Sequence, residues 1–248
     1  MTLSITKTFT MKPSYLLTVA LLQLPGGASA QTQTLAGIRV APPKTAIAAA
    51  QPVYRAEGYG RARFGMTVDE VRSTLALDYP QVRAAPQEEI DAFSRSRVLT
   101  LQVPDMPPGP QAADISFVFG ATSQQLIAVN VIWRVADIAS KAQQTQLLLA
   151  AAKLAGGFGA YAWPLLDTIY GLVLSPGVSV VFAGHDVYGG GVEVRLEGVA
   201  QAMAPAPGTS SIPQAAVAPL PPSPASLRLT LVANSHNPDI FRIPAGSF

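Results

Sequence analysis

The chain has two histidines, His185 and His236, and no cysteine, so any site must be built from imidazole, carboxylate and hydroxyl groups. His185-Asp186 stands between two strand-like segments, with Tyr188 and Gly189-Gly190-Gly191 directly after it. A His-Asp pair on a glycine-rich turn can bind a polar ligand or supply one vertex of a metal site. Backbone preference explains the same residues without a ligand, because Asp and Gly favour turns for conformational reasons. The three glycines precede a strand and not a helix, so they do not form a phosphate-cradling loop. His236-Asn237-Pro238-Asp239 is a second turn signal. If the last strand pairs beside the 185 turn, His185, Asp186, His236 and Asp239 converge, which is the one route to a metal site. The ligand-binding candidates are therefore His185, Asp186, Tyr188 and His236. No metal set is assigned and no cofactor is implied.

Other chemistries fare worse. The absence of cysteine excludes thiol catalysis, thiolate metal sites, disulfides and a lipidated N-terminal cysteine. No G-x-S-x-G elbow occurs, and no serine stands in a nucleophile context. Glu88, Glu89 and Asp91 cluster ahead of a strand, and without a cleft they read as a solvated acidic face, not a glycosidase pair. Trp133 and Trp163-Pro164 can line an apolar groove, although core packing is the ordinary use of such rings. The chain is expected not to be an enzyme.

The elements that must position these residues are legible from pattern. Thr67 and Glu70 make a T-x-x-E capping box, with Met66 and Val71 at the staple positions and Val68, Val71 and Leu75 as the apolar stripe. The spacing predicts a helix over Thr67–Leu77, closed before Pro80. A second helix is expected from Ser140 to Ala155, with Ser140 and Gln143 as its capping box and Gly156-Gly157 as its stop. Period-two alternation marks strands at Val98–Val103, Ile115–Phe119, Leu126–Val135, Tyr170–Leu174, Val178–Phe182 and Gly191–Val199. Gln87–Arg97 is read as a segment with a helical turn. The fold class is α+β, with two helices packed on one face of a mainly antiparallel sheet. A shift of 63 residues lays Val129, Val131 and Trp133 on Val192, Val194 and Leu196, which suggests a tandem helix-plus-hairpin repeat.

At the N-terminus, Lys7 and Lys12 precede the apolar run Tyr15–Leu24, and Ala28-Ser29-Ala30 completes an A-x-A cleavage pattern. Residues 1–30 thus read as an export signal, since the run is shorter than the ~20 residues a membrane span needs. Translation starts at Met1 or at Met11, and from Met11 the signal has conventional proportions. Of 17 Lys+Arg, Lys7 and Lys12 leave with the signal, so 15 basic residues face the 15 acidic ones. A neutral mature chain without a basic cluster has no electrostatic reason to bind nucleic acid or anionic lipid. Residues 31–53 read as a flexible leader, in which Ile38-Arg39-Val40 can dock as an edge strand. Residues 54–199 form the α+β domain, and residues 200–226 a stiff Pro/Ala-rich linker. Residues 227–248 hold a C-terminal strand and tail. That strand alternates over Leu227–Val232, is too short to stand alone, and is expected to pair in cis. A periplasmic or secreted protein without a transmembrane segment is expected.

Arg63-Phe64-Gly65-Met66-Thr67 with Glu70-Val71 resembles the opening of small exported bacterial domains, F-G-M-[ST]-x-x-E-V. It is similar to the start of outer-membrane assembly lipoproteins of the SmpA/OmlA type and of β-lactamase-inhibitor-protein-like folds. The resemblance covers about twelve residues and the helix-then-hairpin order. It implies helices against an antiparallel sheet, sometimes in tandem, and a binding or scaffolding role instead of catalysis. The chain departs from the lipoproteins in lacking their lipidated cysteine, which speaks against a membrane tether. The expectation is an exported interaction or envelope-associated module whose partner is another envelope protein. The alternative is a periplasmic binder of a small ligand or metal at the His185 turn.

Overall fold

The computed structural model describes residues 51–135, 139–164, 167–199 and 224–242. The expected export signal, the expected leader up to residue 50 with its Ile38-Arg39-Val40 segment, and residues 200–223 of the expected linker lie outside the described residues. The last strand pairs in cis, as expected, and its place governs the architecture.

The described chain opens with a two-residue hairpin, β1 (Gly58–Tyr59) and β2 (Ala62–Arg63), and then forms helix α1 (Val68–Asp78). Strands β3 (Gln87–Ile90), β4 (Arg97–Val103), β5 (Ala113–Phe119) and β6 (Leu126–Arg134) follow. Helix α2 (Lys141–Gly159) begins the second half, which continues as β7 (Thr168–Ser175), β8 (Val178–His185) and β9 (Gly191–Glu197). Last comes β10 (Ser226–Val232). The main sheet has eight strands in the order β3-β4-β5-β6-β10-β9-β8-β7, and every neighbouring pair is antiparallel. The fold is α+β and mostly sheet. No helix among the described residues is long and apolar enough to cross a membrane.

Helix α1 starts where its capping box stands: the Thr67 side chain accepts from the Glu70 amide, and the Glu70 carboxylate accepts from the Thr67 amide at 2.8 Å. Ser140 and Gln143 do the same for α2. Val68, Val71 and Leu75 of α1 and Leu147, Ala151 and Ala155 of α2 join a single core with Leu99, Phe117, Val131, Trp133, Phe182, Val194 and Leu229. Both helices therefore cover the same face of the sheet.

Two local expectations are corrected. Helix α2 does not stop at Gly156-Gly157 but runs through them to Gly159. Each mid-helix glycine costs about 1 kcal/mol relative to alanine. One more turn of helix brings the Phe158 ring against Phe182 at 5.6 Å and Tyr54 at 5.5 Å, and that burial outweighs the glycine cost. The segment after Pro86 is a strand, not a helical turn: Gln87–Ile90 pairs along β4, with Glu88 held by Arg72 of α1 and Arg97 of β4. A single turn does form beyond it, where the Arg95 amide donates to the Asp91 carbonyl at 2.9 Å.

Strand β10 lies at the centre of the sheet, between β6 and β9. Leu229 pairs with Val131 on one side and Val194 on the other, and Leu227 pairs with Trp133 and Leu196. The 63-residue shift seen in sequence is thus the register in which both halves meet β10. Because β6 and β9 both run antiparallel to β10, they run parallel to each other. The helix-then-hairpin order recurs along the chain, yet outward from β10 the two hairpins are mirror images in strand order. No rotation superposes them while keeping both helices on one face. Gly198, directly after β9, has a φ of +67°, and the Pro224 backbone passes close against it just before β10 begins.

Candidate functional site

The predicted site residues meet at one corner of the sheet. His185 is the last residue of β8 and pairs with Gly191, the first of β9, which in turn pairs with Val232 at the end of β10. The chain leaving β10 therefore passes beside the 186–190 turn and is stitched to it. The Ser235 amide and hydroxyl both donate to the Gly189 carbonyl, at 2.8 and 3.0 Å. The Asn234 side chain accepts from the amides of His236 and Asn237, at 3.0 and 2.9 Å. This brings the His185 and His236 rings to 5.8 Å between centroids, tilted by 38°.

The two aspartates do not join them as ligands. Asp186 is 7% exposed, and its carboxylate is consumed by three backbone amides: Tyr188 at 2.8 Å, Gly190 at 2.9 Å and Ala56 at 2.7 Å. It organises its own turn and clamps the incoming 54–57 segment to it. Asp239 lies at the β5–β6 turn, where it accepts from the amides of Thr122 at 3.1 Å and Ser123 at 2.7 Å. Those bonds hold its carboxyl below the ordinary range. Among the described residues no group of three or more His, Asp or Glu is placed to hold a metal ion. Tyr188 is 66% exposed, and the Arg55 guanidinium lies 4.6 Å over its ring.

Burial pushes the His185 imidazole below its usual range, and neighbouring His236 pushes the same way, against the opposing pull of Asp167 and Asp186. The imidazole is thereby favoured neutral, able to donate and accept one bond each. Behind the corner, Tyr54 stacks on Trp163 at 4.6 Å, Trp163 meets Phe182 edge-on at 5.2 Å, and the Trp163 indole donates to the Phe158 carbonyl at 2.8 Å. Burial raises the Tyr54 hydroxyl to about 12, with Tyr161, Asp186 and Glu57 adding to it. Trp133 is buried in the main core, its indole donating to the Met106 carbonyl at 2.7 Å. The tryptophans pack the core and do not wall a groove together. In the acidic cluster, Glu88 is paired with arginines and Asp91 accepts from Phe93 and Ser94, so both are committed to local structure.

A second feature was only half visible in sequence. The face of the sheet opposite the helices carries a ladder of polar side chains. Register puts Thr100, Ser116, Asn130, Thr230 and Glu193 in one row across five strands. Thr100 and Ser116 hydroxyls are 3.1 Å apart, and the Thr230 hydroxyl donates to the Asn130 carbonyl at 2.9 Å. Glu193 accepts a hydrogen bond from Arg195 Nη2 at 3.1 Å and lies 2.8 Å from its Nε, in an ion pair whose side chains are only 8% and 13% exposed. In the next row Arg228 stands between Ile132 and Arg195, and Asp114 pairs with Arg134 close by. On the other flank of the ladder Val98, Val118, Ala128 and Val232 form a small apolar cluster. Their row continues through Gly191 to His185, so face and corner are contiguous. Alternation alone showed that Glu193 and Arg195 share a face. It could not show that Arg228 and Thr230 stand next to them, because that depends on where β10 inserts.

No family model, curated protein or solved structure matches this chain.

Proposed function

We propose that this chain is an exported, non-enzymatic interaction module that takes a partner protein against the helix-free face of its sheet. The observation that carries the reading is the cross-strand polar ladder there, in which Thr100, Asn130 and Thr230 are half-buried and keep part of their surface. Fixed, mutually bonded polar groups with part of their surface open can meet a partner without first being ordered. The export signal and the resemblance to exported binding and scaffolding domains support the same reading. Other envelope proteins are the partner class it implies. A photo-crosslinking residue placed at Thr100 or Thr230 and activated in envelope extract tests it. The expected result is one specific adduct from both positions; crosslinks no stronger than those of a helix-side control at exposed Leu149 overturn it.

A second reading rests on the 5.8 Å approach of His185 and His236. Two neighbouring imidazoles, with Tyr188 in the turn that follows His185, can hold a small polar ligand. Thermal-shift screening of small anions and divalent metals, with His185→Ala as control, tests it: a shift that survives the substitution removes the corner from consideration.

A further inference from the structure

The fold fixes two imidazoles beside each other and leaves both rings unbonded. His185 is held by its strand pairing with Gly191, and His236 by the Ser235 bonds to Gly189 and by the Asn234 side chain on its amide. Neither imidazole makes a hydrogen bond or an ion pair with a described residue. His185 is half-buried with no nitrogen sealed from solvent, and His236 is exposed, so the rings are open to a ligand. Their centroids lie 5.8 Å apart. With nitrogens ~2.0 Å from a metal ion, two imidazoles sharing it have centroids roughly 5–6 Å apart at tetrahedral and wider angles.

Local charge selects a cation. Asp167 and Asp186 both act on His185 electrostatically, while Arg55, which lies over Tyr188, is balanced by Glu57 at 3.8 Å. An anion would require a charged imidazole, whereas a dication binds the neutral rings directly. Imidazole suits zinc, copper and nickel, while magnesium and calcium prefer oxygen ligands. Resting on the reading of this corner as a ligand site, we propose that His185 and His236 jointly bind one exchangeable dication of the zinc–copper–nickel class. No third side chain among the described residues is placed to complete the coordination, so water fills the remaining positions. Such a site takes up and releases its ion, unlike a closed structural zinc site with four protein ligands.

The chain has two histidines, so their ring signals report the site completely. The untagged full chain is titrated with zinc chloride in a non-chelating buffer at neutral pH while the carbon-bound imidazole protons are followed by NMR. Both rings are expected to shift together and saturate at one zinc per chain, and magnesium to leave them in place. His236→Ala, an exposed substitution, should weaken zinc binding at the His185 ring roughly tenfold or more, because two-point binding becomes one-point, with the melting temperature unchanged. One ring shifting alone, separate saturation of the two, no shift at either, an equal shift with magnesium, or undiminished binding by His236→Ala overturns the shared site. An anion that shifts the melting temperature of wild type but not of His185→Ala, with zinc leaving both rings in place, would keep the corner as a ligand site and sink the dication alone.

Discussion

Positions 63 residues apart flank β10 as equivalents, and the two faces of the sheet treat them differently. Toward the helices the equivalents agree: Val129 with Val192, Val131 with Val194, Trp133 with Leu196. Away from the helices they diverge: Asn130 answers Glu193, Ile132 answers Arg195, and Arg134 answers Glu197. Burial against one shared strand demands apolar residues of similar register on both sides, whatever their origin. The mirror arrangement of the two hairpins makes the point sharper, since a rotated copy of one half could not occupy the other's place. Similarity on the core face reports a common packing partner. The divergent face is where the halves can specialise, and it is the face proposed for recognition.

The comparison is broken most forcefully by removing the strand both halves share. A chain ending at Val199 is expected to lose cooperative thermal unfolding by near-ultraviolet circular dichroism, because β6 and β9 would face each other in parallel without a partner. A sharp transition at the full-length temperature would mean that each half stands alone. Within β10, Leu229→Ala is expected to cost about 3 kcal/mol by denaturant titration, as for other buried leucines. Exposed Leu149→Ala should stay within ~0.5 kcal/mol.

On the divergent face, the equivalents Glu193 and Asn130 are expected to differ. Glu193→Gln strands the Arg195 guanidinium and should cost about 2 kcal/mol, below the ~3–5 kcal/mol of a fully buried pair because some exposure remains. Asn130→Ala removes one neutral bond and should cost about 1 kcal/mol. Equal losses would erase the asymmetry. The helix caps, which play the same part in each half, should respond alike: Thr67→Ala and Ser140→Ala lose about 1 kcal/mol each.

Acid separates the two turns that the C-terminal segment ties down. The His185 imidazole is depressed in the fold, so the unfolded chain binds its proton more readily. Stability held above the usual 6.5 is then lost as pH falls through that value. Asp239 is also depressed, but from 3.8, so the β5–β6 turn yields only at lower pH. Hydrogen exchange should show amides 186–190 opening first. Substituting His185→Gln should delay them and leave the 120–123 amides unchanged.

Much of this architecture is written in local pattern. Both capping boxes, the two helices and the alternating strands follow from residues within one or two turns of each other. What the sequence withheld depends on distant partners. Phe158 carries α2 past two glycines because Tyr54 and Phe182 wait for it, and neither is near in sequence. Gln87–Ile90 is a strand because β4, Arg72 and Arg97 hold it there. At the site, His185 and His236 come together because the last strand docks beside the turn, a placement local pattern does not encode. Asp186 and Asp239 read first as turn formers, and the amides that donate to them agree. Arg228 beside Arg195 was hidden entirely, because their pairing depends on where β10 inserts.

The central claim is that recognition belongs to the helix-free face. One capture experiment from envelope extract, run in parallel with wild type, Thr100→Arg and Tyr188→Ala, tests it most directly. The prediction is a specific partner retained by wild type and by Tyr188→Ala and lost by Thr100→Arg, with all three chains melting alike. A partner that ignores Thr100→Arg and is lost with Tyr188→Ala would contradict it and hand the function to the histidine corner.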